Sequence, residues 1–152
     1  MTTPNPWMDD KKIHFITVHC AGTPRGRNNK AAEVSSWDIA RFGEISYHHV
    51  IELDGNDVQT LRYNQRGAHV HLENTGNIGI CYVGGDENDG KVPPTPADTR
   101  TDAQKKALAN RLRALKKLYP NAKILGHRDW PNVKRACPSF DVASFLKEID
   151  LC

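Results

Sequence analysis

Hydrophobic residues cluster in short apolar runs, and most of these runs have the composition of strands. They are rich in β-branched and aromatic residues and are bounded by glycine, asparagine or aspartate, which is typical of buried strands. The runs are KIHFITVHC, SYHHVIELDGNDVQT, NIGICYVGG and AKILG. In the second run, Asp54-Gly55 predicts a turn between two strands. We therefore predict a sheet whose strands are spread along most of the chain.

Two longer segments have the apolar spacing of helices. Over residues 30–42 the apolar side chains, including Trp37, fall on one predicted core side, and Gly43 follows as a C-cap. Thr101 and Gln104 have the spacing of a capping box. The core-facing stripe predicted after this cap consists of Leu108, Leu112, Leu115 and Leu118.

A third helix is predicted near the end of the chain. Asp141 is placed to cap it, and Phe140 and Phe145 are spaced to form a hydrophobic staple across the cap. Strands mixed with helices of this length predict an α/β fold, with a central mixed β-sheet flanked by helices in a single domain. We assign this domain to residues 13–152 and an N-terminal arm to residues 1–12, where two prolines discourage regular structure.

Composition narrows the class of protein. The chain of 152 residues is 38% hydrophobic and 26% charged, which suits one soluble domain. Its net charge of +3 is too weak to predict nucleic-acid binding, although it suits an anionic polymer such as a cell wall. No apolar stretch reaches membrane-spanning length, so we expect no membrane insertion. The first twelve residues lack the apolar core of a signal peptide, which predicts a cytoplasmic origin.

The candidate chemistry lies at the ends of strands. His19 and His127 each end a predicted strand, and strand ends can meet at one edge of an α/β sheet. Cys137 is a third candidate, because a reducing compartment disfavours disulfides. Two imidazoles and one thiolate leave a fourth tetrahedral position open, as in catalytic zinc sites. The spacing is not that of a zinc finger, so the residues alone leave open a core thiol, a disulfide half and histidines satisfied at a sheet edge.

The chain also resembles a known family. The blocks ITVHC, ISYHHVIELDG, GAHVHLENTGNIGICYVGG, LGHRDW and ACPSFD follow one another in the order seen in zinc-dependent N-acetylmuramoyl-L-alanine amidases. The resemblance covers about residues 13–150 and is greatest to the small amidase-type lysozymes of podoviruses. Peptidoglycan recognition proteins share the same fold. The resemblance implies one Zn²⁺ per chain and makes residues 13–152 the catalytic domain.

Site residues follow from the resemblance position by position. Tyr47 matches the active-site tyrosine of the family, and His69 and Asn74 match positions near the substrate groove. Arg135 stands where the family usually has a catalytic lysine, with Lys134 beside it. Arginine stays protonated, so it can stabilise an oxyanion but cannot act as a base. The implied zinc ligands are His19, His127 and Cys137.

The implied function is that of a phage endolysin. It would hydrolyse the amide between N-acetylmuramic acid and L-alanine in peptidoglycan, acting as a monomer from the host cytoplasm after the membrane is permeabilised. The podoviral relatives also bind and inhibit their phage RNA polymerase, which implies a second partner. The alternatives are a peptidoglycan-binding module without activity and a bacterial amidase that recycles soluble muropeptides. Recognition proteins generally lack the metal cysteine, so Cys137 disfavours the binding module.

Overall fold

The computed structural model describes residues 4–151, which form a five-stranded sheet, a two-stranded sheet and three α-helices. In chain order the elements are β1 (Phe15–Cys20), β2 (Thr23–Pro24), α1 (Ala31–Phe42), β3 (His49–Ile51), β4 (Asp57–Gln59), β5 (Asn77–Tyr82), β6 (Gly85–Asp86), α2 (Asp102–Leu118), β7 (Lys123–Gly126) and α3 (Val142–Glu148). A single 3₁₀ turn, His127–Asp129, follows β7 directly. None of the helices within residues 4–151 has the length and apolar character needed to cross a bilayer.

The large sheet has the strand order β4-β3-β5-β1-β7. Strands β3, β5, β1 and β7 all run in the same direction. Strand β4 runs antiparallel to β3, as the second strand of the predicted hairpin. The sheet is therefore mixed, as predicted. Its central strands are buried on both faces, which explains why their sequences are continuous apolar runs.

Helix α2 covers one face of the sheet and begins at the predicted capping box. The Thr101 hydroxyl accepts from the Gln104 backbone N–H at 3.0 Å, and the Gln104 side chain accepts from the Thr101 N–H at 2.9 Å. The predicted stripe is buried except at Leu118, which is 58% exposed. Leu118 is the last residue of the helix, and Tyr119 packs against the core in its place.

Helix α1 matches its predicted range but is only partly covered. Ala31 and Val34 are buried, whereas Trp37 is 44% exposed. The prediction that Trp37 belongs to the core was therefore wrong. Its side chain lines a cleft, and α1 contributes one wall of that cleft. Gly43 ends the helix with a left-handed φ of 78°.

Helix α3, near the end of the chain, and the segment around Asn5, near its beginning, both pack against the rest of the domain. Asp141 caps α3 through the Ala143 N–H at 3.1 Å, and the Phe140 and Phe145 rings meet at a centroid distance of 5.8 Å. In the segment predicted to be an arm, Asn5 is buried and its amide donates to the carbonyls of Ile45 and Arg66. Residues 4–8 therefore lie against the domain, and residues 1–3 are outside the described part of the chain.

Candidate active site

Two neighbouring parallel strands bring the two candidate histidines together. Val18 of β1 is the register partner of Gly126 of β7, and His19 and His127 come directly after these two residues. The rings of the two histidines lie 4.6 Å apart, centroid to centroid. Asp129 helps to fix this point, since its carboxylate accepts from the Gly126 N–H at 2.8 Å.

Cys137 reaches the same place from the loop that follows the 3₁₀ turn. The Arg128 N–H donates to the Cys137 carbonyl at 2.9 Å, which folds the loop back over the strand ends. One ligand atom from each of His19, His127 and Cys137 lies within 4.8 Å of the other two. The structure thus brings together the three side chains that the sequence analysis singled out as ligands.

The electrostatics of this cluster suit a divalent cation. Burial, followed by the neighbouring His69 and His127, holds the pKa of His19 well below its usual range, and burial also lowers the pKa of His127. Both rings are therefore neutral and offer free lone pairs. The Cys137 thiol has a raised pKa, caused first by its hydrogen bond to Cys20 and then by burial. Such a thiol needs a nearby positive charge to become a thiolate, and a bound metal supplies one.

Backbone geometry also prepares the Cys137 sulfur for negative charge. The Cys20 N–H points at Sγ of Cys137 from 3.2 Å. A neutral thiol is a weak acceptor, whereas a thiolate accepts such a bond well. The donor set of two neutral imidazoles and one sulfur, with one N–H directed at the sulfur, fits zinc and leaves room for a fourth ligand.

The cluster forms part of the wall of an open cleft of about 720 Å³. Helix α1 supplies one side of the cleft, and the loop that carries Cys137 supplies the opposite side. Every site residue predicted from the sequence lines it: His19, Tyr47, His69, Asn74, His127, Lys134, Arg135 and Cys137. A cleft of this size accommodates a ligand larger than a single amino acid.

Tyr47 lies over the ligand cluster. Its ring centroid is 5.1 Å from that of His19. Burial, followed by the nearby thiols of Cys81 and Cys137, holds the pKa of Tyr47 well above its usual range. The phenol is therefore protonated at neutral pH, and its hydroxyl can donate a hydrogen bond but cannot act as a base.

Arg135 and Lys134 are both exposed at the rim of the cleft. They differ in their electrostatic effect on the ligands. After burial, the charge of Arg135 is the second cause of the lowered pKa of His127, whereas Lys134 is not among the causes. Of these two cations, Arg135 therefore has the larger effect on the pKa of His127.

His69 and Asn74 belong to a turn on the floor of the cleft. The Asn74 side-chain oxygen accepts from the backbone N–H groups of His69 and Val70, at 2.9 and 2.8 Å, and so holds the turn. The His69 ring is buried, and its Nδ1 lies 2.9 Å from Nε2 of His19. Burial lowers the pKa of His69 to about 3, so this ring is also neutral.

Asp38 is a cleft residue that the sequence analysis missed. It lies four residues after the buried Val34 on α1, and this spacing was the available signal. Its Oδ2 is buried without a hydrogen-bond partner among the described residues. Burial raises the pKa of Asp38 to about 6, against the smaller effects of Ser46 and Arg41. Trp130, by contrast, packs edge-on against Phe15 at 4.8 Å and does not line the cleft.

Comparisons with known proteins agree with this geometry. The family model of the N-acetylmuramoyl-L-alanine amidases (Amidase_2) matches residues 9–140. The endolysin of Enterobacteria phage K11 is 31% identical over 135 residues, covering 88% of this chain and 85% of that protein. The endolysin of Klebsiella phage KP32 is also 31% identical, covering 90% of this chain and 87% of that protein.

A solved structure agrees at the level of the fold. The amidase LysC of Clostridium intestinale superposes with a TM-score of 0.76 at 22% identity, covering 100% of this chain and 95% of that one. The predicted α/β fold and the predicted amidase family are thereby confirmed. Because the family model spans most of its length, this chain belongs to the N-acetylmuramoyl-L-alanine amidase family.

Proposed function

We propose that this protein is a zinc-dependent phage endolysin that hydrolyses the amide bond between N-acetylmuramic acid and L-alanine in peptidoglycan. The observation that carries the proposal is the convergence of His19, His127 and Cys137 within 4.8 Å at the wall of an open cleft. Membership of the amidase family and the two similar phage endolysins support the reaction and the biological setting.

The ligand set indicates how the reaction proceeds. His19, His127 and Cys137 would hold a zinc ion, which would supply a Lewis acid and would lower the pKa of a bound water to about 7. The overall hydrolysis consumes one water and gives a lactyl carboxylate and the free amine of L-alanine. The cleft lets a glycan strand and its peptide stem approach from the open side, because its walls are α1 and the Cys137 loop.

Tyr47 and Arg135 stabilise the negative charge that develops on the carbonyl oxygen. The Tyr47 phenol is protonated and can donate to that oxygen. Arg135 contributes a permanent positive charge at the rim, and Lys134 contributes a second cation beside it. The Arg135 guanidinium stays protonated and cannot serve as a base, so we assign it an electrostatic role.

The turn that contains His69 and Asn74 forms the substrate-side floor of the cleft. Asn74 holds this turn through two backbone N–H groups, so we propose that it shapes the groove for the glycan or the stem. Both ring nitrogens of His69 are already engaged within the protein, which limits its direct contact with substrate to the ring edge.

The wider biological assignments are proposals from the family resemblance. We propose a monomer that is made in the host cytoplasm and reaches the wall once the membrane is permeabilised. A second partner, the phage RNA polymerase, is also proposed on this basis. A pull-down with the cognate polymerase tests that partner, and sedimentation of the purified protein tests the monomer.

The amidase proposal is tested by digesting purified peptidoglycan and counting new amino groups and new reducing sugars. New amines without reducing ends, lost on chelation and restored by zinc, are expected. Cys137→Ser should lose both bound zinc and activity. Cys81→Ala, which removes a buried thiol outside the ligand set, should keep its zinc. Wall binding without amine release would instead indicate a recognition module.

A further inference from the structure

The ring of His69 lies directly behind the candidate ligand His19. Its Nδ1 is 2.9 Å from Nε2 of His19, and its Nε2 is 3.1 Å from the backbone oxygen of Asn77. Both rings are buried, so water does not compete for these bonds. The three groups therefore form one hydrogen-bonded row from the backbone of β5 to the metal centre.

The backbone oxygen of Asn77 determines which ring nitrogen donates and which accepts in each hydrogen bond of this row. A carbonyl oxygen can only accept, so Nε2 of His69 carries a hydrogen and donates it to Asn77. A neutral imidazole has one N–H, which leaves Nδ1 of His69 bare and able only to accept. Nε2 of His19 must then be the donor of the bond between the two rings. The remaining nitrogen of His19, Nδ1, consequently keeps its lone pair.

That lone pair faces the other ligands. Nδ1 of His19 is the ring nitrogen near the Cys137 sulfur, at 3.9 Å. We infer that His69 is a positioning residue, which selects the His19 tautomer with a bare Nδ1 and fixes the ring so that this nitrogen can bind the metal. This inference rests on the zinc site proposed above. It assigns His69 a role through His19 and not through contact with substrate.

The packing around His69 supports a fixed ring. A Cβ placed on Gly79 would lie 2.9 Å from each of its three nearest atoms, all of which belong to the His69 ring. Gly79 is register partner to Thr17, two residues before His19 on β1. The absence of a side chain at Gly79 thus leaves the space that the ring occupies. The ring cannot rotate or shift without losing one of its two hydrogen bonds.

Another buried histidine provides a matched control. His48 lies 6.2 Å from His69, centroid to centroid, and is also fully buried. Its ring nitrogens are paired with the Gln65 carbonyl at 2.7 Å and the Gly79 N–H at 3.1 Å. Neither partner is a candidate ligand. Replacing His48 therefore disturbs the neighbouring core, including the Gly79 N–H, but removes none of the hydrogen bonds of the row that ends at His19.

The first experiment is ¹⁵N NMR of histidine-labelled, metal-free protein at neutral pH. We expect His69 and His19 both to carry their hydrogen on Nε2, with both Nδ1 atoms bare. A hydrogen on Nδ1 of His19 would overturn the inference. This readout uses the wild-type protein without metal, so the effect of His69 on the His19 tautomer can be determined even if the protein binds no zinc, an outcome that would contradict the zinc proposal.

The second experiment compares zinc affinity by competition with a chromogenic chelator. His69→Leu should weaken zinc binding by about 10- to 100-fold, the usual effect of losing a residue that orients a ligand. His69→Gln should recover most of the affinity, since its amide can accept from His19 and donate to Asn77. Gly79→Ala, which keeps His69 but displaces its ring, should weaken zinc binding in the same direction.

His48→Leu should lower the midpoint of chemical unfolding while leaving the zinc affinity close to that of the wild type. If His69→Leu does not fold, the comparison of Gly79→Ala with His48→Leu provides the same test. Equal zinc affinity in the wild type, Gly79→Ala and any folded His69→Leu protein would contradict a positioning role.

Discussion

Val18 and Gly126 are register partners in adjacent parallel strands, and each is followed directly by a candidate metal ligand. Parallel strands share their direction, so residues that follow register partners emerge at the same sheet edge. This one pairing places His19 next to His127, and the Asp129 carboxylate holds the Gly126 end of it. The third ligand, Cys137, depends on a loop, and that loop is anchored to the same strand end.

Gly126 is the point at which the strand, the loop and α3 meet. A Cβ at this residue would lie 3.0 Å from Pro138, 3.0 Å from Val142 and 3.2 Å from the Asp129 carboxylate. Gly126→Ala should therefore push the Cys137 loop outward and destabilise the fold by about 1–3 kcal/mol, as overpacking does. We expect weaker zinc binding as well, measured by chelator competition beside urea unfolding of the metal-free protein.

Gly26→Ala is the matched control for this substitution. Gly26 has a φ of 80°, and a Cβ added there would have no atom within 4 Å, so alanine is strained but meets no neighbour. It should lower stability by about 1 kcal/mol and leave zinc affinity unchanged. If Gly126→Ala binds zinc as tightly as the wild type, the added methyl group does not displace the Cys137 loop, and the prediction is wrong.

The predictable parts of the molecule are those with local signals. The capping box at Thr101 and Gln104 and the staple of Phe140 and Phe145 depend on neighbours within five residues, and both are present. The mixed sheet followed from apolar runs. Strands β2 and β6 have no such signal, because two-residue strands show no periodicity.

The part of the site that was not predicted from the sequence depends on contacts between residues far apart in the chain. His69 meets His19 across 50 positions of sequence, and this contact depends on how the turn at Asn74 packs beneath the sheet edge. Nothing in the local pattern distinguishes His69 from a histidine that faces substrate. The prediction that Trp37 belongs to the core was wrong for a related reason. Helical spacing identifies the apolar side of a helix but does not show whether that side faces a sheet or a cleft.

Asp38 provides a prediction on pH and stability. Its folded pKa is about 6, above the usual 3.8, so the folded state binds a proton more tightly than the unfolded state. The contribution of Asp38 to stability is therefore greatest below about pH 4 and is lost as the pH rises from about 4 to about 6. The full shift corresponds to roughly 3 kcal/mol. Solvent screening at this half-buried carboxyl reduces the expected effect to about 1 kcal/mol.

Asp38→Asn should accordingly be more stable than the wild type at pH 7 and equal to it near pH 4. Urea unfolding at a series of pH values measures this difference. Asp10→Asn is the control, because it removes one negative charge at an exposed position. It should not reproduce the stability gain that Asp38→Asn shows at pH 7. A stability gain that is the same at every pH would assign the effect to packing instead of to the carboxyl charge.

Tyr47→Phe removes the hydroxyl and keeps the ring, so it tests the contribution of the hydroxyl alone. The ring packs 5.1 Å from His19 and should keep its place, so zinc affinity and stability should change little. If the hydroxyl donates to the developing oxyanion, kcat should fall by about 100- to 1000-fold, as for other single oxyanion donors. Amine release from a soluble muropeptide gives kcat and KM separately. A rise in KM at constant kcat would assign Tyr47 to substrate binding.

The two rim cations can be ranked by charge removal. Arg135 perturbs the pKa of His127, so its charge is the one that reaches the reacting centre. Arg135→Gln should reduce kcat by about 100-fold, and Lys134→Gln should change it only a few-fold, because the Lys134 charge is not among the causes of the His127 pKa shift. Arg135→Lys should retain most of the rate if charge alone matters. A larger loss in Lys134→Gln than in Arg135→Gln would transfer the family lysine's role to Lys134.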